Sequence, residues 1–84
     1  MEEKQVGTVE HFYGKPSVGM IKLSDVLKIG DKIHIKGNAT DFTQVVSSMR
    51  IEFTDTKEAK AGDLVGIKVD QKVHKLDAVF QVTD

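Results

Sequence analysis

Three histidines, His11, His34 and His74, are the residues best suited to acid–base or metal chemistry in a chain without cysteine. They form no His-x-x-x-His pair, so a metal would require the fold to bring them together. His34 lies between Ile33 and Ile35 and reads as an outward residue of an alternating strand. Carboxylates are numerous, but no two stand where one pKa would be driven from the other, as paired acid–base work requires. Gly14-Lys15 suggests a phosphate loop until its neighbours are read: Val9 stands where the first glycine belongs, and Pro16 where Ser or Thr should follow the lysine. Lys15-Pro16-Ser17-Val18-Gly19 fails as a nucleophile elbow, because Lys15 occupies the first glycine position. Asn38-Ala39-Thr40 is a glycosylation sequon, but with no secretion signal it reads as part of a hairpin connection. The residues therefore predict a chain that is not an enzyme, with no catalytic, cofactor, metal or nucleotide site.

Binding surfaces remain. Lys22, Lys28, Lys32 and Lys36 recur along one stretch with His34, and Lys68, Lys72, His74 and Lys75 along another. If the strands that carry them are neighbours, Lys32, Lys36, Lys68 and Lys72 form a basic patch able to face RNA phosphates. The competing reading is a solvated outer face with lysines guarding strand edges, diluted by Asp25, Asp31, Asp63 and Asp70. Beside the Gly-Lys-Pro loop, Phe12 is expected in the core, while Tyr13 is free to stack on a base or a partner side chain. Twelve basic against thirteen acidic residues give a net charge of −1, which disfavours strong non-specific binding to nucleic acid.

The elements that must position these residues are strands. Asp31–Lys36 alternates without a fault, placing Ile33 and Ile35 on one face. Val65 and Ile67 are assigned inward, as are Ala78, Phe80 and Val82 in the last segment. From Thr40 to Phe53 one phase carries Val45, Met49, Ile51 and Phe53; Phe42 and Val46 break it, which predicts a bulge or strong bend. The expected core is Ile33, Ile35, Met49, Ile51, Val65, Ile67 and Phe80. Thr56–Ala61 is too short for a stable helix and reads as a single turn or an irregular edge strand. At 84 residues there is room for one domain, spanning 1–84, that buries only about 60% of its unfolded surface. The acidic start Met1-Glu2-Glu3-Lys4, with no long apolar run after it, predicts neither signal peptide nor membrane contact and points to the cytoplasm. Six or seven short strands with tight turns predict an all-β barrel or sandwich.

An internal echo sharpens that expectation. Leu27-Lys28-Ile29-Gly30-Asp31 and Ala59-Lys60-Ala61-Gly62-Asp63 each open an alternating strand, and His74-Lys75-Leu76-Asp77 is a degenerate third copy. Gly supplies a positive φ and Asp accepts the turn's backbone N–H groups, so these read as structural corners. Val6-Gly7-Thr8-Val9, Val18-Gly19-Met20-Ile21, the Gly30-Asp31 segment through Gly37, Val46-Ser47-Ser48-Met49 and Ala61–Val69 together resemble the second domain of elongation factor Tu and related translation GTPases. The likeness runs from about Gln5 to Val82. It implies a small antiparallel β-barrel serving as a non-catalytic module that faces RNA or the ribosome. A similar barrel accompanies collagenase-like peptidases, which implies the alternative of a protein-interaction module for a separate enzyme chain. Leu76 departs from the third Gly-Asp, which predicts a different geometry for the last turn.

Overall fold

The computed structural model describes residues 2–15 and 17–83. Its ten strands are β1 (Glu2–Gly14), β2 (Ser17–Leu23), β3 (Leu27–Lys28), β4 (Lys32–Lys36), β5 (Asp41–Val45), β6 (Met49–Ile51), β7 (Thr54–Asp55), β8 (Glu58–Ala59), β9 (Leu64–Lys68) and β10 (Ala78–Thr83). Eight form one antiparallel sheet in the order β5-β4-β10-β1-β2-β9-β6-β7, and β3 pairs with β8 in a small second sheet. The chain is all-β, as the alternation predicts, and Glu58–Ala59 is the irregular edge strand expected within Thr56–Ala61. Among the described residues no helix is long and apolar enough to cross a membrane. Pro16, in the expected Gly14–Ser17 loop, lies outside the described residues.

The barrel expectation is corrected in one respect: no backbone ladder joins β5 to the far edge among the described residues. On that open side a side chain links β5 to the end of β9. Buried Gln44 of β5 donates to the Lys68 carbonyl at 2.9 Å and accepts from the Asp70 N–H at 2.8 Å. Both ends of its amide are satisfied, so its burial carries no desolvation penalty. The enclosed core contains Val6, Val9, Ile21, Leu27, Ile33, Ile35, Met49, Val65, Ile67 and Val79, with Phe12 and Ile51 packed against it half-buried.

Phase assignments change in two segments. In β10 Val79 and Val82 are the buried residues, Val79 within the main core cluster, whereas Phe80 stands on the other face from Val79, tilted beside the His34 ring at 6.3 Å. The phase that carries Phe80 is the more apolar one, so pattern alone put Phe80 inside. The Thr40–Phe53 run is two strands, with Phe42, Gln44 and Val46 inward along the first. Ser47-Ser48 then resets the phase so that Met49 points in. Val45 and Phe53 are consequently exposed.

The third copy of the corner corrects the expectation of a different geometry. Asp31, Asp63 and Asp77 each accept, through Oδ2, the N–H three residues upstream, at 2.9, 3.0 and 2.8 Å. The residues before them all have left-handed backbone: Gly30 at φ 96°, Gly62 at 95° and Leu76 at 77°. Each corner then clamps a distant segment with two backbone bonds, to Val46 just after β5, Leu23 at the end of β2 and Val9 within β1 respectively.

Candidate functional site

The two most distinctive surface features are a polar cluster and an open groove. The cluster centres on His34 of β4. Its Nδ1 meets Glu3 of β1 at 3.0 Å, and its Nε2 meets Asp41 of β5 at 2.5 Å. Hydrogen bonding to Asp41, then to Glu3, raises the His34 pKa above its ordinary value of 6.5 against a smaller opposing effect of burial. With both ring nitrogens held by carboxylates, the imidazolium ties three strands together. His11 and His74 lie elsewhere: His11 packs edge-on against Tyr13 at 4.5 Å, and His74 Nδ1 bonds the Thr40 hydroxyl at 2.9 Å. Among the described residues no group of three or more His, Asp or Glu could hold a metal.

The groove runs over the outer face of β2, β9 and β6. Outward alternation in β2 sends Val18 and Met20 to its floor, and β9 adds Leu64. Gly66 keeps the floor open, because a Cβ there would sit 3.3 Å from both Met20 Sδ and Val18 Cγ1. Tyr13 walls one end and is half exposed; Lys15 and Lys68 supply positive rims. At the other end stands the β6–β7 hairpin, braced by Arg50 Nε donating to Asp55 at 2.8 Å. Ile51 pairs with Thr54, so Glu52 and Phe53 are the two central residues of its turn. Both have positive φ, 51° and 66°, the backbone pattern of a type I′ hairpin that normally selects Asn-Gly. Phe53 is 96% exposed at the tip.

The predicted site residues are divided by this architecture. Tyr13 and Lys68 share the groove, whereas Lys32 and Lys36 lie on β4 and Lys72 in the connection after β9. Three strands, β10, β1 and β2, separate β4 from β9 in the sheet. β4 and β9 are therefore not hydrogen-bonded neighbours, although β5, which pairs with β4, reaches the end of β9 through Gln44. Sequence reading missed Arg50, Met20 and above all Phe53. Glu-Phe carries none of the usual marks of a turn, so periodicity assigned Phe53 to a strand.

Comparison with known proteins gives these surfaces a setting. No family model matches the chain. Over 77 residues, 90% of its length, it is 43% identical to an uncharacterized protease of Methanocaldococcus jannaschii. The match covers 19% of that relative, so the chain spans about a fifth of the curated protein it resembles. Two crystal structures of the C-terminal domain of a Geobacillus thermoleovorans protein named as a U32 peptidase share the fold. One superimposes with a TM-score of 0.87 over 93% of this chain and 91% of that one, at 17% identity. The other, the selenomethionine variant, gives 0.86 over 90% and 96%, at 18% identity. The likeness is to a peptidase-borne domain. This corrects the resemblance to elongation factor Tu and the translation GTPases: Gly-Asp corners opening alternating strands do not by themselves mark a translation factor.

Proposed function

We propose that this chain is a non-catalytic accessory module that serves a peptidase catalytic region through a protein interface. The observation that carries the reading is the 43% identity concentrated in one fifth of a protease. A segment of that size, folded around its own core, leaves the larger part of the relative to supply the hydrolytic chemistry. The near-neutral charge also suits a protein surface better than a phosphate backbone. The RNA- or ribosome-facing reading rested first on the translation-factor resemblance, which the likeness to peptidase-borne domains replaces.

The test is a replacement in the Methanocaldococcus jannaschii relative. Deleting the segment that matches this chain should lower kcat/KM on a protein substrate, and inserting this chain in its place should restore most of the loss. The isolated 84-residue chain should cleave no peptide. Turnover by the isolated chain, or a replacement no more active than the deletion, would overturn the reading.

A further inference from the structure

The groove and the hairpin beside it have complementary chemistry. The floor is apolar, from Val18, Met20 and Leu64, and its rim carries Lys15 and Lys68 along with Asp63 and the mutually paired Arg50 and Asp55. Neither lysine forms an ion pair among the described residues. An occupant suited to it would present a large apolar side chain next to a carboxylate on a projecting segment. The tip of the β6–β7 hairpin is such a segment, with Phe53 almost wholly exposed and Glu52 adjoining it. Two left-handed non-glycine residues in succession cost stability, and such strain is concentrated at functional sites. Asn-Gly would make the same turn without that cost. A strained turn that holds an aromatic ring in water gains nothing within its own chain.

We propose that two copies of this chain associate reciprocally, the Glu52–Phe53 tip of each seating in the Val18–Met20–Leu64 groove of the other. The contact is isologous, so each copy contributes one tip and one groove and the assembly closes at two. Phe53 is the apolar anchor, and Glu52 meets the lysine rim. This surface goes beyond the peptidase reading, and its test uses this chain alone, so the two stand or fall separately.

Sedimentation equilibrium of the full chain should show a reversible species of twice the 9.3 kDa monomer mass. Phe53→Ser should weaken dimerisation by at least about tenfold, the scale of losing a buried aromatic anchor. Because Phe53 contributes nothing to the core, its circular dichroism should match the parent. The double variant Glu52→Asn/Phe53→Gly should weaken association equally while raising the unfolding midpoint, a combination that general destabilisation cannot produce. Glu52→Lys should weaken association, and adding Lys15→Glu and Lys68→Glu should recover it. A chain that stays monomeric at all concentrations, or a dimer indifferent to Phe53→Ser, overturns the proposal.

Discussion

His34 shows how one residue can read as bland in sequence and be structurally busy. Strand alternation correctly sends it outward, but the carboxylates it meets come from Glu3 and Asp41, 31 positions before it and 7 after it. Only the sheet order, which lays β10 between β1 and β4, brings Glu3 within reach. The raised pKa fixes the direction of its pH dependence. A group whose folded pKa lies above its unfolded value stabilises the fold fully below the unfolded pKa, and loses that contribution as pH rises through the folded value. The stability difference between parent and His34→Gln should therefore be largest near pH 6, above the ordinary carboxylate range, and should fade as pH rises through the raised folded pKa. Urea midpoints of both proteins across that interval measure it. A difference that grows with pH would mean that the ring is not held as a cation.

Elements were legible where local chemistry alone decides them, and illegible where a partner strand decides. The Gly30-Asp31 and Gly62-Asp63 corners could be read directly, since Gly allows the left-handed backbone and Asp closes the turn. The third copy shows that the aspartate and the strand it clamps fix the corner even without glycine. Asp77 is buried, and a Cβ on Gly37 would collide with its carboxylate, so the loop after β4 is packed directly on this corner. Leu76 adopts φ 77° with its side chain mostly in solvent, taking on strain with little burial in return. Leu76→Gly should thus raise stability by about 0.5–1 kcal/mol, the relief of left-handed strain partly offset by the greater freedom of glycine in the unfolded chain. A lowered urea midpoint would show that Leu76 makes a contact worth more than its strain. By contrast, the β10 phase and the Glu52-Phe53 turn escaped sequence reading. In both, the apolar pattern points one way while pairing with β1 and β4, or with β6, sets the other.

At the scale of the molecule, β10 is an interior strand of the eight-stranded sheet. β10, residues 78–83, pairs with β1 on one side and β4 on the other, so this strand joins segments 70 or more and about 45 residues away. Its removal would leave β5-β4 separated from β1-β2-β9-β6-β7, with two unpaired central edges and Val79 missing from the core. Neither fragment retains an enclosed apolar face, and a domain this small has no surplus burial to compensate. A chain ending at Asp77 should therefore lack cooperative unfolding and native-like hydrogen-exchange protection. Adding a synthetic peptide of residues 78–84 should restore both, because the gap between β1 and β4 presents a ready-made antiparallel slot. The intact chain should fold in about milliseconds to seconds, as expected when distant pairings must form before any core closes. Cooperative unfolding of the 1–77 fragment without peptide would show that the first nine strands close a core of their own, and that β10 is an addition rather than the keystone of the sheet.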